Sequence, residues 1–266
     1  MSILRNKISV FIITLGLIFI SIAPVLSIGD NSGVSEVQFA SKDGFSLTGS
    51  LYLPKNKSLK NKVPLVILLH SLGKTRIDWE DFPIKIKNMG AAVLVMDLRG
   101  HGKSILDKKN KRKYWQNFSD KEFQKFPDDV DAAIKYIKQQ YPDININKTG
   151  IIGADVGANA AIVGASRYSQ YVKTLILLSP TTDFKGIETR IPMVAYGAHP
   201  VLIFVSRGDR FSYIGSSELI KYAQGIKQLK VYPSGGNGMR LLEFQPETQK
   251  LMIDWLGKYL IAGSIK

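Results

Sequence analysis

The sequence contains no cysteine. Disulfides, thiolate metal sites, a cysteine nucleophile and a lipid-modified N-terminal cysteine are excluded together. Histidine is nearly as scarce, with 3 among 266 residues: His70, His101 and His199. Any chemistry that relies on an imidazole base must use one of these. Acidic residues are in the minority, with 22 Asp and Glu against 36 Lys and Arg. The formal charge of +14 argues for anionic surroundings but is silent about fold. Internal repeats, long linkers and composition breaks are missing after residue 34. With 45% hydrophobic and 22% charged residues the chain is globular, which excludes collagen-like, disordered and polytopic membrane proteins.

What is present begins with an export signal. Arg5 and Lys7 precede a charge-free stretch from Ile8 to Gly29, with an apolar heart at Ile8–Ile22 and small residues up to Ser27. A positive start, an apolar middle and a small-residue end form a secretory signal over residues 1–27. About twenty apolar residues also suffice to span a bilayer, so a retained N-terminal anchor stays open. Either way the body, residues 28–266, is exported: secreted, or membrane-associated through its N-terminus. Residues 1–27 carry two basic and no acidic residues, so this body keeps a charge of +12.

From residue 34 onward β-rich runs alternate with helical patterns. Val34–Ala40 and Ser46–Leu53 read as strands joined by the turn Lys42-Asp43-Gly44. Leu65–Leu69 and Ala91–Met96 are continuous apolar runs, as strands buried on both faces should be. Thr149–Ile152, Thr174–Leu178, Val201–Val205 and Leu229–Tyr232 are further strands. Ile77–Asn88, Asp128–Gln140, Gly157–Arg167, Tyr213–Gln224 and Pro246–Leu260 read as helices. The alternation predicts an α/β fold: a mostly parallel sheet of about eight strands, helices on both faces, opened by an antiparallel hairpin.

Gly153-Ala154-Asp155-Val156-Gly157 lies between a strand and a helix of small residues. A glycine pair around one central residue at such a junction makes a nucleophile elbow, which lifts that residue to the top of the sheet at a helix N-terminus. Here the central residue is Asp155. On this motif the chain resembles the α/β-hydrolase family over residues 34–262, and specifically the small, lidless, dienelactone-hydrolase-like esterases. His70-Ser71-Leu72-Gly73 is similar to the family's oxyanion loop, and Asp97-Leu98-Arg99-Gly100-His101-Gly102-Lys103-Ser104 to its turn after the fourth strand. Ser206-Arg207-Gly208-Asp209 stands where the family places its acid, and Ser234-Gly235-Gly236-Asn237-Gly238 where it places its histidine. The resemblance implies oxyanion donors on the backbone of Ser71 and Leu72 on one side and of Val156 on the other. The interval between Leu178 and Val201 is too short for a cap domain.

Two positions depart from the hydrolytic pattern: Asp155 replaces the nucleophilic serine and Asn237 the histidine. A serine needs a base to take its proton, and a neutral amide has no basic site near pH 7. The same fold does use an aspartate nucleophile in dehalogenases and epoxide hydrolases. There a histidine-activated water releases the covalent ester, a step Asn237 could not assist. Three arrangements remain open for the triad Asp155, Asp209 and Asn237. It could be inert, Asn237 hydrogen-bonding Asp209 while Asp155 points to water. It could be a weak site for a hard cation such as Ca²⁺ or Mg²⁺, because all three offer oxygen. It could be an unorthodox catalytic site. No cofactor is called for.

Lys108, Lys109, Lys111, Arg112 and Lys113 form a basic cluster in the loop after the fourth strand. Such runs are usually solvated, but on an exported, basic body this one suits an anionic membrane or cell-wall polymer. Nucleic acid is not expected, since no binding motif for it is present. Two function classes follow. The first is a catalytically impaired binding or scaffold homologue of esterases, with a small ligand in the elbow pocket. The second is a working esterase- or thioesterase-like hydrolase with an Asp-based site.

Overall fold

The computed structural model of the protein describes residues 33–54 and 62–262. The export segment expected at residues 1–27 lies outside the described residues. In chain order the elements are β1 (Val34–Ala40), β2 (Ser46–Tyr52), β3 (Val63–Leu69), a 3-10 turn (Arg76–Trp79), α1 (Phe82–Asn88), β4 (Ala92–Met96), α2 (Asp120–Phe123), α3 (Phe126–Gln140), β5 (Ile144–Ala154) and α4 (Val156–Arg167). They continue with β6 (Val172–Leu178), the two-residue strands β7 (Asp183–Phe184) and β8 (Ile187–Glu188), α5 (Arg190–Tyr196), β9 (Val201–Ser206), α6 (Arg210–Leu219), β10 (Lys227–Tyr232), α7 (Arg240–Phe244) and α8 (Glu247–Leu256). The last helix runs on into a π-helical turn at Gly257–Ile261.

Eight strands make one sheet in the order β1-β2-β4-β3-β5-β6-β9-β10. The opening hairpin is antiparallel, and β2 joins β4 antiparallel, while β4, β3, β5, β6, β9 and β10 run parallel to one another. This is the mostly parallel α/β sheet with an N-terminal hairpin that the sequence predicts. Strand alternation divides the core in two. Leu65, Ile67 and Leu69 of β3 point to one face and pack with Val130, Ile134 and Ile137 of α3 and with the alanines of α4. Val66 and Leu68 point to the other face, with Phe82 and Ile86 of α1 and Met252 and Leu256 of α8. These residues are fully or nearly fully buried, and each large apolar side chain so placed contributes roughly 1.5–3 kcal/mol.

Several boundaries differ from the sequence expectation. Ile77–Asn88 is not one helix: Glu80 takes φ +50°, which breaks the spiral, and α1 restarts with Pro83 in its first turn. The helix expected at Tyr213–Gln224 begins earlier, at Arg210, because Asp209 caps it. The strand expected at Thr149 begins at Ile144, since a register shift opposite Pro64 lets β5 extend. Between β6 and β9 the chain forms the small β7–β8 hairpin and α5, and no cap domain.

Candidate functional site

The elbow is shaped by close approach. A Cβ on Gly153 would lie 2.4 Å from Gly157 O, and one on Gly157 would lie 2.6 Å from His70 O. Only glycine lets β5, α4 and the loop after β3 meet so tightly. Between the two glycines Asp155 adopts φ +53° and ψ −119°, a strained conformation for a residue with a side chain. Its backbone N–H donates to Leu178 O over 2.8 Å, which ties the elbow to β6.

The carboxylate of Asp155 turns back into the oxyanion loop. Leu72 N–H donates to Asp155 Oδ2 over 3.1 Å, and the neighbouring Val156 N–H also favours the charged carboxylate. The Leu72 donor implied for a substrate oxyanion is therefore engaged by the protein's own side chain, and Asp155 does not simply point to water. The residue is partly open to solvent, yet its carboxyl is crowded. Burial pushes its pKa up to about 6, against the two N–H groups that favour its charged form, and the Asp209 charge adds to the rise. The Ser71 hydroxyl accepts from Met239 N–H over 3.0 Å.

Asp209 sits at the N-terminus of α6 and accepts from Ser212 N–H over 3.3 Å. Asn237 Nδ2 donates to Asp209 Oδ2 over 2.7 Å and to Ser212 Oγ over 3.1 Å. The amide thus makes the hydrogen bond an imidazole would make to this acid, and accepts no proton in return. The loop holding Asn237 is pressed onto the elbow. A Cβ on Gly238 would lie 3.0 Å from Asp155 Cβ, and Gly238 N–H donates to Ser179 Oγ over 2.9 Å. The structure therefore brings Asp155, Asp209 and Asn237 to one end of the sheet. It adds three serines that sequence reasoning did not single out, Ser71 in this role, Ser179 and Ser212, whose hydroxyls hold residues 237–239. They are isolated in sequence, and only the position of Ser179 directly after β6 hints at a site. Asn237 directs its NH₂ group at Asp209, whereas a hard cation bridging the two would need the amide oxygen there. Among the described residues no cluster of three or more His, Cys, Asp or Glu side chains could hold a metal.

The two nearby histidines are fully occupied. His70 is 0% exposed; its Nδ1–H donates to Ser71 O over 2.8 Å and its Nε2 accepts from Leu98 N–H over 3.0 Å. His101 Nδ1–H donates to Arg99 O over 3.0 Å and its Nε2 accepts from Gly73 N–H over 3.2 Å. Each ring is fixed as the neutral Nδ1–H tautomer by its two backbone partners. Burial lowers both pKa values, that of His101 to about 3 with the neighbouring His70 adding to the effect. The rings staple the oxyanion loop to the turn after β4 and have no lone pair left for a substrate. His199 precedes β9 and packs on Tyr196 at the opposite end of the sheet, with ring centroids 5.1 Å apart.

A family model described as "Serine aminopeptidase, S33" matches residues 60–197, just over half of the chain. The chain belongs to this family of α/β-hydrolases. Its fold is likewise that of the esterase-like members. It superposes on the dienelactone hydrolase of Anabaena variabilis ATCC 29413 with a TM-score of 0.66 and 18% identity, covering 86% of this chain and 99% of the other. It superposes on an acetyl xylan esterase of Paenibacillus sp. R4 with a TM-score of 0.69 and 14% identity, covering 88% and 87%. Among curated proteins it is similar to dipeptidyl peptidase 8 of Mus musculus, 25% identical over 211 residues. That match takes in 77% of this chain and 21% of the mouse protein, so the chain spans about a fifth of the length of that relative.

The basic cluster lies on the same side of the sheet as the elbow. Residues 108–114 are all exposed, at the end of a hairpin whose Leu106 bridges both Ser46 and Arg112. Trp115 packs inward, its ring stacked on His101 at 5.4 Å and 2°. Among the described residues no helix is long and apolar enough to cross a membrane.

Proposed function

We propose that this is an exported, non-hydrolytic member of the esterase-like α/β-hydrolases, a binding or scaffold module acting outside the cytoplasm. The observation that carries this reading is the hydrogen bond from Leu72 N–H to Asp155 Oδ2. In a working acyl hydrolase that donor must be free to meet the charge that develops on the substrate. Here a carboxylate already takes it, and a substrate oxyanion arriving beside it would meet like charge. The pairing of Asn237 with Asp209 removes the base as well. Nucleophile, base and an oxyanion donor are thus lost together, and loss of any one costs orders of magnitude in rate.

Placement outside the cytoplasm rests on the charge-free stretch Ile8–Gly29 behind Arg5 and Lys7. The basic hairpin provides the contact with an anionic surface there, through Lys108, Lys109, Lys111, Arg112 and Lys113. N-terminal sequencing of the exported protein decides the mode: a start near Ile28 means a cleaved signal, a start at Met1 or Ser2 an anchor.

The test of the functional reading is hydrolysis of short-chain chromogenic esters by the purified protein and by the double variant Asp155→Ser with Asn237→His. A silent wild type beside an active double variant is the expected result. Turnover by the wild type would overturn the reading in favour of an Asp-based hydrolase.

A further inference from the structure

Asn237-Gly238 is the one Asn-Gly pair in the sequence. In such a pair no side chain shields the glycine nitrogen, which can attack the asparagine side-chain carbon. Glycine is required at this place by the fold. A Cβ on Gly238 would lie 2.3 Å from Ser71 Oγ, and its φ of +53° is in the left-handed region. The packing that demands glycine therefore puts a deamidation hazard at the triad position itself.

Both reacting groups are engaged elsewhere in the folded protein. The attacking group is Gly238 N–H, which donates to Ser179 Oγ over 2.9 Å. Ser179 is buried at the end of β6, where its own N–H donates to Phe204 O over 2.8 Å. The group attacked is the Asn237 amide. Its Nδ2 donates to Asp209 Oδ2 over 2.7 Å and to Ser212 Oγ over 3.1 Å, both at the start of α6. The bond to a carboxylate is the stronger of the two kinds. Met239 N–H, donating to Ser71 Oγ over 3.0 Å, pins the loop on the next residue. Ring closure needs the amide to swing away from α6 and the Gly238 nitrogen to leave Ser179, so it must wait for the loop to lift.

We propose that Asn237 is a deamidation site gated by the hydroxyls of Ser179 and Ser212. When the loop lifts, the Gly238 nitrogen bonds to the Asn237 side-chain carbon. The proton it sheds is carried by solvent to the departing amide nitrogen, which leaves as ammonia. Water then opens the cyclic imide at either carbonyl, giving aspartate or isoaspartate. Water is consumed and ammonia released in equal amounts, with no oxidation or reduction. Either product ends the present arrangement. Aspartate sets a second carboxylate against Asp209 in place of the hydrogen bond. Isoaspartate adds a carbon to the main chain between residues 237 and 238, and the loop can no longer meet Ser179 and Ser71 together.

The test is peptide mapping by mass spectrometry of the whole protein held at mildly alkaline pH, folded and in urea. Asn237 in the folded wild type should convert at least about tenfold more slowly than in the unfolded chain. Ser179→Ala removes the acceptor of Gly238 N–H and should speed conversion in the folded protein at least about threefold. Ser212→Ala frees one amide hydrogen and should act in the same direction, which covers a Ser179→Ala protein that fails to fold. Ile134→Val removes a buried methylene from α3, outside the loop and its partners, and lowers global stability alone. It should leave the rate within about twofold, because the opening that matters is local. Equal rates in folded and unfolded protein overturn the proposal. So does an absence of acceleration in both serine variants, or the same acceleration in Ile134→Val.

Discussion

Asp155 and Leu72 are joined by a 3.1 Å hydrogen bond in which the backbone of the oxyanion loop supplies the proton and the elbow carboxylate receives it. The bond makes Asp155 the occupant of the site, and the burial of its carboxyl, which outweighs that bond, makes it a source of pH-dependent stability. Its pKa is raised from 3.8 to about 6. Below the unfolded-state value the carboxyl is neutral in both states and imposes no penalty. Between about pH 4 and pH 6 the unfolded chain ionises first, so the protein loses stability as the pH rises, by about 3 kcal/mol in all. Asp155→Asn should remove that loss. Urea unfolding at pH 4 should find wild type and variant close together, and at pH 7.5 the variant more stable. Parallel stability curves for the two proteins would refute this account.

Asn237 faces a carboxylate with its NH₂ group, so the position tolerates a donor and not a second acid. Asn237→Asp should lower stability by about 1–3 kcal/mol at pH 7.5, by loss of the bond to Asp209 and by repulsion from it. Acidification to pH 4 should restore most of the difference, because a protonated partner donates again. Thermal melts at the two pH values check both parts.

Arg99 is 2% exposed, lies over the Phe45 ring and holds Asp129, which is 0% exposed, with its Nε 2.9 Å from Asp129 Oδ1. Arg99→Met would leave Asp129 buried without its cation. The expected cost is about 3–5 kcal/mol, read as a shift of the denaturant midpoint. A change within experimental error would mean that Asp129 is neutral in the folded protein.

Gly157→Ala places a methyl group 2.6 Å from His70 O and must move either α4 or the loop after β3. A loss of about 1–3 kcal/mol or more is expected. Ala158→Gly, one residue further along the same helix, should cost about 1 kcal/mol through helix propensity and about 0.8 kcal/mol more through its buried methyl group. Urea unfolding of both variants checks these losses.

The architecture was readable because the strands are buried on both faces and so appear as unbroken apolar runs, as Leu65–Leu69 and Ala91–Met96 do. Boundaries were less readable where local geometry decided them. The split of Ile77–Asn88 depends on the backbone of Glu80, and only Pro83 marked it in advance. At the site the positions of Asp155, Asp209 and Asn237 followed from motif and order. The direction of the Asp155 carboxylate did not, because residues 72 and 155 meet only in space. The sequence order places none of the three histidines well for a base, and the fold adds the reason for two of them: His70 and His101 are spent on backbone groups.

The tautomers of His70 and His101 have a consequence for how the protein experiences acid. His101, which accepts from Gly73 N–H of the oxyanion loop, gains a proton only near pH 3, and burial lowers His70 too, so the staples that fix the loop are insensitive to moderate acidification. The elbow carboxyl is not, since its midpoint falls near 6. A medium that drifts from neutral to mildly acid would erase the negative charge at the elbow while the oxyanion loop beside it stays in place. The head of α4 would then present a carboxylic acid where it had presented a carboxylate, so ambient pH sets the charge at the centre of the elbow.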